Sequence, residues 1–231
     1  MLKIFYHAKV QNSGEVFVFY KYIQQNFTNF APLKSCYFMK KIDAKFGAVV
    51  VMILLAAISR VIPHAYNFTP MVAIALFGGA MLRKNWQAYL VPLAAYFISD
   101  VMISLFGGNG FYGVTQLFAY GGMLLVAALG TTMGKPKALK ILGYSLGGSA
   151  IFWIISNFGV WFANYIAVGS PTHETGLTLG MTYLRALPFY NVYSNELFFG
   201  AFAGDLFYSI ILFGVYALAQ KSIPALRYSK A

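Results

Sequence analysis

The fold class this sequence predicts is all-α: a polytopic membrane bundle of about six transmembrane helices, N-in/C-in. Three observations predict it. Hydrophobic residues make up 59% of the 231-residue chain and charged residues only 10%, whereas a soluble domain is about one-quarter charged. The apolar residues gather into six runs separated by short polar breaks. The lysines and arginines cluster in alternate breaks, as the positive-inside rule requires.

Taken in order, residues 1–38 are an aromatic, mixed leader without an apolar run long enough to span. Met39-Lys40-Lys41 then opens a long apolar stretch in the manner of a bacterial membrane protein. The expectation is a leader that is non-physiological, or else an interfacial anchor built on Phe17, Phe19 and Tyr20, followed by one transmembrane domain over 39–231. The first run is 46–62, read as an uncleaved helix. The second, 70–82, is short: thirteen residues reach only about 20 Å against a hydrocarbon core of about 30 Å. Thr69 is its expected N-cap and Pro70 its first helical residue. The preceding segment 63–68 must then enter the protein to complete the crossing, because irregular backbone at membrane depth needs protein or a water-filled cavity around it. The third run is 86–106, ending at Gly107-Gly108-Asn109-Gly110, the fourth 114–133 and the fifth 141–162. Leu177, Met181, Leu184 and Leu187 then recur at helical spacing, which predicts a short amphipathic helix on the membrane face. The sixth run is 197–219.

With the first helix starting inside, Lys40, Lys41, Lys45, Arg83, Lys84, Lys135, Lys137, Lys140, Lys221, Arg227 and Lys230 all fall on the cytoplasmic side. Only Arg60 and Arg185 fall outside, and Lys3, Lys9, Lys21 and Lys34 lie in the leader. That asymmetry sets the orientation. It also accounts for the net charge of +11 without nucleic acid, for which the chain has no motif.

An ionisable group inside a span costs roughly 2.5–3.5 kcal/mol on insertion scales, so it needs a partner or a purpose. Arg60 near the outer end of the first run, Asp100 in the third, Asn157 and Trp161 in the fifth and Asp205 in the sixth all lie in the outer third. Four helices therefore place polar groups at one depth. The expectation is one outward-facing cavity, entered from above by the loop carrying His64, Asn67 and Thr69, with the N-terminal dipole of the short second helix favouring a negative or carbonyl group there. Arg60 and Arg185 are the available cations. The plainer reading has Arg60 neutralising Asp100 or Asp205, and Asn157 joining helices. Ala48, Ala56, Ala57, Gly78, Gly79, Gly121, Gly122, Gly147 and Gly148 allow close helix approach, and an exposed small-residue face on the first helix could dock a membrane partner.

The sequence offers little to catalysis. Gly143-Tyr144-Ser145-Leu146-Gly147 matches the nucleophile-elbow pattern, but a basic loop rather than a strand precedes it, and His64 and His173 belong to the opposite side. It is read as helix packing. One cysteine, Cys36, and three scattered histidines give no metal-ligand spacing, and there is no P-loop. No catalytic residue, metal or cofactor is expected.

The block Arg60-Val-Ile-Pro-His-Ala-Tyr-Asn-Phe-Thr-Pro70 is followed by 75–79 (Ala-Leu-Phe-Gly-Gly), Ser99-Asp100, 156–161 (Ser-Asn-Phe-Gly-Val-Trp), 186–189 (Ala-Leu-Pro-Phe) and Gly204-Asp205. In this order the blocks resemble a bacterial family of six-helix integral membrane proteins, a domain of unknown function, over about residues 46–215. In outline that family is similar to the S components of energy-coupling factor (ECF) transporters. The likeness implies an S-component-like protein of the bacterial inner membrane, with an outward site and with a transmembrane coupling subunit and ATPases as partners; fold-level analogy is a weak warrant for any of these. The leading expectation is a subunit that captures a small polar solute from outside, with Arg60, His64, Asn67, Thr69, Asp100, Asn157, Trp161 and Asp205 at its site. The alternatives are a structural or assembly subunit without transport, and an intramembrane enzyme on a lipid or isoprenoid that pairs Asp100 with Asp205.

Overall fold

A computed structural model of the chain describes residues 44–65, 67–82, 85–171, 173–187, 190–191, 196–197 and 200–226. The leader 1–38 and the basic residues Lys40, Lys41, Arg83, Lys84, Arg227 and Lys230 lie outside the described residues. Among those described there are seven α-helices: α1 (Ala44–Ile58), α2 (Met71–Met81), α3 (Asn85–Leu105), α4 (Val114–Thr131), α5 (Ala138–Ile166), α6 (Leu179–Arg185) and α7 (Gly200–Ser222). A 3-10 turn, Ser59–Val61, extends α1, and another, Pro224–Leu226, follows α7. Two two-residue strands, β1 (Tyr190–Asn191) and β2 (Glu196–Leu197), pair antiparallel ahead of α7.

Five of these helices are long and apolar enough to cross a bilayer: α1 with its 3-10 turn, α3, α4, α5 and α7. The bundle is therefore that of a multi-pass membrane protein. The expected sixth span behaves differently. Helix α2 has 11 residues, about 16 Å at the helical rise, and ten of the 11 are buried. It packs against α1, α3, α4, α5 and α7. A helix apolar all round belongs in a core, and α2 is the hub around which the spanning helices stand. Phe77 at its centre is fully buried and meets Phe213 and Tyr216 of α7 edge-on, at 5.1 and 5.8 Å between centroids.

Two glycines let the neighbours close on this hub. A Cβ on Gly79 would stand 2.2 Å from the Ala127 carbonyl oxygen, and one on Gly78 would stand 2.3 Å from the Pro92 ring inside α3. Gly148 is tight against Val72, while Gly121 and Gly143 face open space and Gly147 is in loose contact. The small residues of the first run do not form an outward docking face. Ala56 and Ala57 are buried and Ala48 is half-buried, while Val51, Leu55 and Ile58 face outward.

The start of α2 also departs from expectation. Pro70, at φ −83° and ψ 11°, is the N-cap and Met71 the first helical residue; no side chain of the cap position bonds the helix. The Pro70 carbonyl accepts from Ile74 at 2.8 Å. Helix α5 is longer than its apolar run. Its 29 residues reach about 43 Å, and its last turns stack Trp161 on Tyr165, centroids 5.5 Å apart, as in an interfacial aromatic belt. The expected amphipathic helix is α6, begun by Thr178, whose side-chain oxygen accepts from the Met181 N–H at 3.2 Å. It is moored to α5, since Trp153 donates its indole N–H to the Ala186 carbonyl (2.5 Å) and Tyr183 donates to that of Ile154 (2.7 Å).

Candidate functional site

Between the end of α1 and the start of α2 the chain runs irregularly, exposed through Ile62, Pro63, His64 and Ala65. Its fold is fixed by two devices. Asn67 adopts the left-handed region at φ 57°, which asparagine tolerates better than most residues. Phe68 then packs on Phe207 and Tyr208 of α7, at 5.4 and 5.7 Å. Gly204 makes room for this, since a Cβ there would lie 3.0 Å from the Phe68 Cα. Opposite, α3 ends in a glycine-rich turn in which Gly107 takes a positive φ and Gly110 lies directly on the Asp100 carbonyl, with no space for a Cβ.

These two segments wall a cleft of about 420 Å³. Arg60, Val61, His64, Ala65, Asn67 and Thr69 line one side; Ile103, Phe106, Gly108 and Tyr112 line the other. The His64 Nδ1 sits 2.7 Å from the Ile62 carbonyl. Facing an acceptor, that nitrogen carries the proton in a neutral ring and leaves Nε2 as acceptor.

Beside the cleft lies a buried charged centre. Arg60 Nη1 pairs with Asp100 Oδ1 at 2.6 Å, with both side chains buried (5% and 0% exposed). The same nitrogen donates to the Ser99 hydroxyl and reaches the Tyr96 carbonyl at 3.5 Å. The guanidinium lies over the Tyr96 ring, 4.3 Å from its centroid, a cation–π contact. The other carboxylate oxygen accepts from Gln116 and, at 3.1 Å, from Tyr120. Asp100 thus receives one cationic and two neutral donors, which is what a desolvated carboxylate in a membrane protein requires.

Asp205 forms a second and separate centre. Its Oδ2 accepts from Ser149 Oγ of α5 at 2.6 Å, and its carboxylate accepts the Val72 N–H in the first turn of α2. Helix starts leave their first N–H groups without intrahelical partners. Asp205 serves as a cap donated by a neighbouring helix, at the end whose dipole favours negative charge. The dipole expected to point into the cavity is therefore directed at Asp205. Ser209 adds a 3.3 Å bond to Ser145; this serine of the nucleophile-elbow pattern is buried in mid-helix.

The eight residues singled out in the sequence do not share one cavity. Arg60, His64, Asn67 and Thr69 line the cleft. Asp100 stands behind it through Arg60. Asn157 donates to the Trp153 carbonyl of its own helix (2.8 Å), and Trp161 stacks on Tyr165 and meets the Phe158 ring at a tilt. Asp205 caps α2. Equal depth along four helices does not imply equal azimuth, and only the packed bundle decides which faces meet. Of the two cations expected outside, Arg185 pairs with Glu174 at 2.7 Å, largely in solvent. Asp100 and Asp205, which the enzyme alternative pairs on a lipid or isoprenoid, share no hydrogen-bond partner among the described residues. The sequence reading passed over Gln116 and Tyr120, although two polar groups four residues apart in an otherwise apolar run mark one helix face.

A family profile matches residues 40–226, and its description is "Family of unknown function (DUF6580)". The chain belongs to this family. Neither a curated protein nor a solved structure matches it, so the likeness to ECF S components draws no support from these comparisons.

Proposed function

We propose that this member of the family is a membrane subunit that binds a small polar solute from the non-cytoplasmic side. The observation that carries the reading is the cleft. Its 420 Å³ lies within the range of small-molecule sites, about 300–1,000 Å³. Arg60, His64, Asn67, Thr69 and Tyr112 are among its lining residues, together with Val61, Ala65, Ile103 and Phe106. The basic-residue asymmetry supports an outward opening, because the cleft joins the ends of α1 and α3 opposite the lysine-rich breaks. Under this proposal the chain works like an S component, handing its solute to a coupling subunit driven by ATPases.

The test is gentle purification from the native membrane followed by native mass spectrometry. The expected result is a retained small solute, lost in Asn67→Ala and Thr69→Ala variants that still fold. Co-purification of a coupling subunit with two ATPases would support the transport step; a solute-bearing protein recovered alone, from cells containing such a module, would replace it with a stand-alone carrier. A well-folded protein that retains no solute and shows none of these partners points instead to a structural or assembly subunit.

A further inference from the structure

The cleft's chemistry narrows the solute class. Among the described residues, every hydrogen bond that Arg60 makes uses Nη1, which faces Asp100, Ser99 and the Tyr96 carbonyl. Nη2 makes none, and Nε is fully buried without a partner among the described residues. A buried donor left unpaired is costly and rare in folded proteins. Nε and Nη2 form one edge of the planar guanidinium, a two-pronged donor that matches the two oxygens of a carboxylate. Arg60 is 8% exposed and still borders the cleft. Asn67 and Thr69 add an amide and a hydroxyl, and no acidic side chain is among the described residues of the lining.

We infer that the solute is a small carboxylate, gripped by the Nε–Nη2 edge of Arg60 while Nη1 stays on Asp100. The inference rests on the cleft being the binding site. Asp100 neutralises the arginine in the unliganded protein and orients its fork; Nε has no solvent contact, so a carboxylate that takes both prongs displaces the atoms covering that nitrogen while the Arg60–Asp100 pair stays in place. With one unpaired edge available, the site suits a single carboxylate.

The test uses a reporter in the cleft wall. Cys36, the chain's single cysteine, is replaced (Cys36→Ser) and the exposed lining residue Ala65 is changed to cysteine (Ala65→Cys). The rate of maleimide labelling is then followed in the full chain, with formate, acetate or benzoate added, against formamide, acetamide or benzamide at matched ionic strength. Carboxylates are expected to slow labelling saturably while the amides do not. Arg60→Lys keeps the charge and removes the fork, and should weaken this protection about tenfold, the loss of one charge-assisted bond. Should Arg60→Lys fail to fold, Asn67→Asp places an acid in the cleft without touching the buried pair, and should abolish protection. Equal protection by amides and carboxylates overturns the carboxylate assignment but leaves the cleft a binding site. No protection by any of the six probes overturns both.

Discussion

The two buried aspartates show two ways of keeping a carboxylate inside a membrane protein. Asp100 has a full countercharge, Arg60 at 2.6 Å, with Gln116 and Tyr120 completing its shell. Asp205 has no cation among its described partners; a hydroxyl and the first turn of a helix do the work. The difference teaches where function can reside. The Asp205 centre is closed, since its acceptor is spent on α2, whose start needs it. The Asp100 centre borders a cleft through Arg60, whose buried Nε has no partner among the described residues.

If that contrast is right, breaking the two centres should differ in size and in kind. The largest effect is expected from Asp100→Ala, which strands a buried guanidinium at a cost of about 3–5 kcal/mol. Thermal unfolding in detergent should show it, and the double variant Arg60→Ala/Asp100→Ala should recover part of the loss. A double variant no more stable than the single one would mean that the pair is not what holds these helices. Asp205→Ala should come next, at about 1–3 kcal/mol for an uncapped buried donor, while Asp205→Asn keeps an acceptor and should lose less. Equal losses for the two would argue against capping. Ser149→Ala should cost about 1 kcal/mol, one hydrogen bond, without altering solute retention. Smallest is Asn157→Ala: interhelical polar contacts in membranes average about 0.6 kcal/mol, and a bond within one helix should do no more. Retention of the cleft's solute should be unchanged, and a weakened solute would bring α5 back into the site.

Much of the fold was legible because the bilayer imposes one dominant rule. A run of about 20 apolar residues reads as a helix, since in lipid only a helix satisfies its backbone within a single segment. The five long helices, the glycine-rich stop after α3 and the short helix α6 follow from runs and breaks. The same rule left the surroundings of α2 undecided, because apolar character says that a segment avoids water and does not say whether lipid or protein covers it. The site was half legible. Arg60, His64, Asn67 and Thr69 lie close together along the chain, and the cleft gathers them. Asp100, Asn157, Trp161 and Asp205 were joined to them by depth alone, and rotation about each helix axis separated three of them.

By itself the sequence determined the membrane class, the number of long helices and the polar segment that follows α1. Apolar content and charge placement act locally along the chain, so they can be read there. Only the tertiary structure decided that α2 is a core hub, that Arg60 pairs with Asp100 and not Asp205, and that Asp205 caps a helix distant in sequence. Those choices depend on which side chains lie within about 3 Å of each other, the reach of a hydrogen bond, and packing around α2 sets that through close approaches at Gly78 and Gly79.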